Sequence, residues 1–254
     1  MPPGKEKGMK RLVLFLLATA LILLTGMGAA RLSDRLRGGD EEPDLPAQAA
    51  RSGLPEQAGL PEPVREEDWR LRLVNAQNPL PEDFEPETEE ADGGYLMDSR
   101  AVEPLRALLE AGRAAGLDLV VTSGWRSWAY QEKLFEDKVE RVMIETGLSR
   151  EEAEELAADE VARPGTSEHQ LGLAVDIISN AHPDLDESWA QTEEAVWLRE
   201  HCAEYGFILR YPPEKSELTG IVWEPWHFRY VGLEAAVYIM ENGLCLEEYL
   251  EACP

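Results

Sequence analysis

The sequence predicts an α+β domain with a mainly antiparallel sheet flanked by helices, preceded by an N-terminal transmembrane helix and an acidic linker. Three observations predict it. From about residue 95 onward, helical spacings and short β-branched or aromatic runs succeed one another without the strict alternation of a parallel βαβ sheet. Upstream, residues 31–92 are crowded with Pro, Glu and Asp. At the very start, a continuous apolar run comes after a cluster of basic residues.

Lys5, Lys7, Lys10 and Arg11 precede the apolar run from Leu12 to about Met27. Basic charge stays in the cytoplasm, so this arrangement exports the chain downstream of the run. A run of roughly 16–19 residues lies at the short end of the spanning range, and Gly28-Ala29-Ala30 resembles a small-residue cleavage site. Residues 1–30 are therefore a membrane anchor, the favoured reading, or a removed signal. The rest is expected outside the cytoplasm, held at the cell membrane or secreted.

Residues 31–92 include Glu41-Glu42-Pro43-Asp44 and Pro81-Glu82-Asp83-Phe84-Glu85-Pro86. Such a segment buries too little apolar surface to offset its ordering entropy and reads as a solvated spacer. Its exception is 69–75, where alternation suggests a short strand or an arm docked on the domain. The folded domain is expected over 93–254.

Within it, Asp98 or Ser99 is an N-cap for a helix carrying Val102, Leu105, Leu108 and Leu109, stopped by Gly116. Residues 117–122 read as a buried strand and 128–146 as an amphipathic helix ending at Gly147. Ser149-Arg150-Glu151-Glu152 is a capping box for a helix to about 161. Strand composition returns at 171–178, a helical pattern at 187–205, and strands at 207–211 and 220–231, with Pro212-Pro213 as a turn between them. A helix at 233–241 leads to a final segment, 246–250.

The net charge of −26 (24 Lys and Arg against 50 Asp and Glu) excludes nucleic acid as a partner, because phosphate recognition needs clustered cations. Three Cys residues without a C-x-x-C pair exclude a cysteine-based zinc knuckle. Outside the cytoplasm one pair of Cys202, Cys245 and Cys253, with Cys202–Cys245 preferred, forms a disulfide, or the cysteines are buried free thiols.

Only four His residues occur, and two lie in the stretches carrying the chemistry. His169 precedes a strand that contains Asp176, an odd separation that Gly172 can correct by bending the chain. Glu224 and His227 are likewise separated by an odd number and interrupted by Pro225; His227 and Arg229 then share a face of the next strand. Two neutral imidazoles and one carboxylate hold Zn²⁺ with a position left open, the arrangement of catalytic sites. Glu224 suits a general base for an activated water, and Arg126, just past a strand end, suits a donor for a developing oxyanion.

Ser123-Gly124-Trp125-Arg126-Ser127 with Gln131, then Ser167-x-His169 through Asp176, then Glu224-Pro225-Trp226-His227-Phe228-Arg229-Tyr230 resemble, in order, the blocks of the D-alanyl-D-alanine carboxypeptidase VanY family. The resemblance covers about 95–250. It implies the fold of hedgehog-type domains and zinc D,D-peptidases, with His169, Asp176 and His227 as ligands of Zn²⁺ and Glu224 as base. Arg126 would stabilise the tetrahedral intermediate, and Gln131 and Ser167 would help hold the substrate's terminal residues. The implied substrate is the D-Ala-D-Ala end of peptidoglycan stem peptides. An L,D-carboxypeptidase or cross-link endopeptidase would use the same groups, whereas a non-catalytic wall-binding module would have no need of Glu224.

Overall fold

The computed structural model describes residues 68–252. The N-terminal apolar run, its basic flank, the acidic segment as far as residue 67, and Cys253 lie outside the described residues. No helix among the described residues is long and apolar enough to cross a membrane.

The first described residues form a docked arm. Asp68 caps a 3₁₀ turn, Trp69–Leu71, by accepting from the Arg70 N–H (3.1 Å). Leu71 and Val74 are buried, and Asn75 and Asn78 close a small bridge, so of the two readings for 69–75 the arm is the one observed. Thr88–Asp92 (β1) pairs antiparallel with Tyr95–Asp98 (β2). Gly93 and Gly94 turn the hairpin at positive φ, where a Cβ would be strained. Leu80 and Ala91 join the core as well, so the packed domain reaches upstream to residue 68 rather than starting near 93. Beyond the arm, the spacer composition of 76–92 hides Leu80 and Ala91 among many charges.

Asp98 caps a short turn that leads into Val102–Ala114 (α1), whose Val102, Leu105, Leu108 and Leu109 line one buried stripe. Gly112 on that stripe lets Leu119 pack close, since a Cβ there would lie 2.2 Å from Leu119 Cδ1 and force it to shift. Val120–Ser123 (β3) is shorter than the predicted 117–122 strand and shifted along the chain. Trp128–Thr146 (α2) starts where Ser127 accepts from the Tyr130 N–H and stops, as predicted, at left-handed Gly147. Arg150–Ala157 (α3) has the predicted Ser149/Glu152 capping box but ends before 161. Phe135, Val139 and Val142 of α2 pack on Ala153 and Ala157 of α3, forming a separate small cluster.

The predicted strand 171–178 divides in two. Ser167 Oγ accepts from the His169 N–H (3.3 Å) and nucleates one helical turn, Glu168–Leu171 (α4). Left-handed Gly172 ends that turn, and Ala174–Ile178 (β4) comes next, buried at every position. Gly172 supplies the expected bend, but as a helix C-cap, which an apolar run does not distinguish from strand by composition alone.

Beyond β4 the predicted 187–205 helix is interrupted: 3₁₀ turns at Glu187–Gln191 and Cys202–Tyr205 bracket Glu193–His201 (α5). Phe207–Leu209 (β5), a single turn at Ser216–Thr219 (α6), and His227–Tyr230 (β6) come next. Most of the predicted 220–231 strand is therefore loop, ended by Pro225. Leu233–Asn242 (α7) and Leu246–Ala252 (α8) complete the described chain.

β3, β4, β6 and β5 form one antiparallel sheet in that order. Cys202 and Cys245 are separate buried thiols, the second of the two alternatives.

Candidate metal centre

The sheet register does the first part of the assembly. Asp176 on β4 lies directly opposite His227 on β6 and opposite Ser123 at the irregular end of β3. The helical turn α4 delivers His169 to the same place, and the loop before β6 delivers Glu224. His169, Asp176 and His227 are 2–3% exposed, and one ligand atom from each lies within 4.8 Å of the others.

The ring nitrogens are already assigned by their neighbours. His169 Nδ1 sits 2.8 Å from the Gly124 carbonyl and donates to it, which leaves Nε2 as the lone-pair atom, 3.3 Å from Asp176 Oδ2. His227 Nδ1 is 3.2 Å from Asp176 Oδ1 and 3.5 Å from Glu224 Oε2. The two imidazole nitrogens thus approach different oxygens of the same carboxylate, each at 3.2–3.3 Å, close enough for one cation to be shared among the three side chains. Asp176 Oδ1 is buried without a hydrogen-bond donor. An orphaned carboxylate oxygen beside two converging imidazoles fits a divalent cation.

The electrostatics point the same way. Burial would raise Asp176, but the neighbouring His169 and His227 hold its carboxyl well below the usual range. Burial would lower His227, yet Asp176 and Glu168 push it up to about 9, so the pocket calls for positive charge at that ring. Burial, aided by Arg126, lowers His169 to about 4 and keeps it neutral. Burial raises Glu224 to about 7 despite the opposing pull of His227. A carboxyl with that value can both take and release a proton near neutral pH.

All four residues line a cleft of about 490 Å³. Arg126 also lines it, donating to Asp176 Oδ2 (3.1 Å) and to Ser123 Oγ. Ser167 is on the wall next to its capping contact. Gln131 is elsewhere: fully buried, it accepts from Arg126 (3.3 Å) and donates to the Ala162 carbonyl (2.7 Å), outside the cleft lining. Trp226 lines the cleft and Trp125 does not.

Residues 94–233 match the model of a family described as "VanY: D-alanyl-D-alanine carboxypeptidase". The chain belongs to the VanY family. Among its relatives is a D-alanyl-D-alanine carboxypeptidase of Enterococcus faecalis, 40% identical over 97% of this chain and 92% of its own length. A solved structure of VanYB in complex with D-alanine-D-alanine is similar at 44% identity and a TM-score of 0.66, covering 72% of this chain and 98% of that one. So is a variant of the vancomycin resistance D,D-pentapeptidase VanY in complex with Zn(II), at 44% identity and a TM-score of 0.65, covering 72% and 99%.

One group in this VanY-family chain was missed by reasoning from sequence. Glu168, Arg210 and Arg229 have fully buried side chains, and they stand directly behind His227. Burial would raise Glu168, but the two guanidiniums hold its carboxyl far below the ordinary range. The available signal was the shared face of His227 and Arg229 on β6, together with the acid immediately before His169.

Proposed function

We propose that the chain is a zinc-dependent D-alanyl-D-alanine carboxypeptidase that hydrolyses the terminal D-Ala of peptidoglycan stem peptides. The observation that carries this reading is the convergence of His169 Nε2, Asp176 and His227 Nδ1 around an oxygen that lacks a donor, with Glu224 beside them in an open cleft.

Zn²⁺ bound there supplies a Lewis acid and brings the pKa of a water down to about 7. Glu224, raised by burial to about 7, takes the proton of the attacking water and passes it to the departing amine. Arg126 donates to the oxygen that becomes negative when the peptide carbonyl turns tetrahedral. Its guanidinium is kept on the cleft wall by Asp176, Ser123 and Gln131, so Gln131 acts through Arg126. Ser167, whose hydroxyl already caps α4, offers its remaining hydrogen-bonding capacity to the substrate's terminal carboxylate.

The N-terminal segment completes the proposal. Its basic flank and apolar run support a domain outside the cytoplasm on a single-pass anchor, facing the wall it would trim. Membrane fractionation tests this, since recovery of a shortened soluble form lacking residues 1–30 would replace the anchor with a cleaved signal.

Digestion of purified muropeptides by the full chain tests the activity. D-Ala is expected from pentapeptides in the presence of zinc; release only from tetrapeptides would transfer the assignment to an L,D-carboxypeptidase. Glu224→Ala should keep zinc and lose about 10²- to 10⁴-fold in kcat. Undiminished turnover in that variant would remove Glu224 from the base role.

A further inference from the structure

His227 presents Nδ1 to the metal position, so its lone pair must be there and its proton on Nε2. Nε2 is buried with no hydrogen-bond partner at ordinary distance, and the atom it faces is Glu168 Oε2, 3.6 Å away. Glu168 Oε2 is also buried and otherwise without a partner. The other oxygen of the same carboxylate is fixed by Arg210 Nε at 2.7 Å and a terminal Arg229 nitrogen at 2.8 Å.

Those two arginines are themselves immobilised. Arg210 makes a two-pronged contact with Glu247 of α8, at 2.8 and 2.6 Å. Arg229 donates to the backbone carbonyls of Arg70 and Arg72 in the N-terminal arm, both at 2.9 Å. Two guanidiniums and two carboxylates cancel, so the cluster adds no net charge to the site behind which it stands. Desolvating four charges is expensive, and a purely structural role could be filled by apolar residues of the same volume. An apolar replacement would, however, leave the His227 N–H without an acceptor.

We infer that Glu168 is a positioning residue of the metal centre: clamped by Arg210 and Arg229, its carboxylate accepts the His227 Nε2 proton and fixes the tautomer and tilt that aim Nδ1 at the cation. The inference rests on the metal reading given under Proposed function. Withdrawal of electron density through Nδ1 makes the Nε2–H a better donor, so the 3.6 Å contact should shorten when metal binds. The arm and α8 then become parts of the metal site, although neither reaches the cleft, because they hold the arginines that hold Glu168.

The test uses the full chain, with inorganic zinc as the probe. Glu168→Gln preserves volume, but an amide turned to satisfy the arginines with its oxygen directs its NH₂ at Nε2 and favours the opposite tautomer. Zinc affinity, measured by competition with a chromophoric chelator, should fall about 10- to 100-fold. Proton NMR of the zinc-loaded wild type should show a slowly exchanging, downfield His227 Nε2–H that the variant loses, a signature a merely structural ion cluster would not move. Should Glu168→Gln fail to fold, Glu168→Asp keeps the charge for the arginines and withdraws the oxygen by one methylene. It should melt near the wild-type temperature and still bind zinc more weakly. Twofold or smaller changes in affinity with the Nε2–H signal retained would overturn the role of Glu168. A wild type that binds no zinc would instead overturn the metal reading, and this inference with it.

Discussion

The two sides of the His227 ring carry the same kind of group and put it to opposite uses. On the cleft side Nδ1 meets Asp176, whose Oδ1 has no donor, and Glu224, whose carboxyl burial raises to about 7. On the far side Nε2 meets Glu168, whose charge is answered by two arginines. Asp176 and Glu168 are removed from bulk water, and Glu224 keeps only a small exposed edge in the cleft. Their different surroundings match the roles proposed for them: Asp176, with an oxygen lacking a donor, as ligand; Glu224, raised by burial, as base; and Glu168, held by two arginines, as brace.

The largest effect should come from emptying the cleft side. Asp176→Asn removes the anionic ligand, so zinc should be absent by elemental analysis and D-Ala release should fall to background. Dialysis of the wild type against a chelator should do the same, with activity restored by added zinc. If Asp176→Asn keeps stoichiometric zinc, the ligand set is wrong.

On the far side the loss should appear first as stability. Arg229→Met leaves the buried Glu168 with one cation fewer and the Arg70 and Arg72 carbonyls without their donor. Denaturant unfolding should show a loss of about 3–5 kcal/mol. A loss under about 1 kcal/mol would mean that the cluster is not what holds this side together.

Arg126 lies between these extremes. Arg126→Lys keeps a positive charge but not the fork that reaches Asp176, Ser123 and Gln131 together. We expect kcat to fall about 10²- to 10³-fold with zinc content unchanged; an equal loss of zinc would make Arg126 a support for Asp176 instead.

The smallest effect is a position on the pH axis. Glu224 works deprotonated, so kcat/KM rises with pH through its pKa. That value is about 7 in the metal-free chain, and a nearby cation lowers it, so the acidic limb should fall at or below about pH 7. A limb well above that would assign it to another group.

Locally written features were legible in the sequence. Gly147 and the Ser149/Glu152 box announce the end of α2 and the start of α3 within the chain itself. His169, Asp176, Glu224 and His227 stood out because histidines are few and a Gly or Pro breaks each odd spacing. What depended on distant partners was hidden. Beyond the arm at 69–75, residues 76–92 look like spacer until Leu80 and Ala91 join a core contributed from far along the chain. Glu168 lies 42 and 61 residues from its two arginines, beyond the reach of any helical or strand period. The short extent of β6 was concealed for a related reason, since the apolar residues of 220–226 serve the cleft wall rather than a strand.

Crystals of the full chain grown with zinc, with diffraction recorded on both sides of the zinc absorption edge, test the central claim most directly. One anomalous peak should lie between His169 Nε2, an Asp176 oxygen and His227 Nδ1, with Glu224 close by and not coordinating. A peak elsewhere, or a metal held through His227 Nε2, would contradict the account.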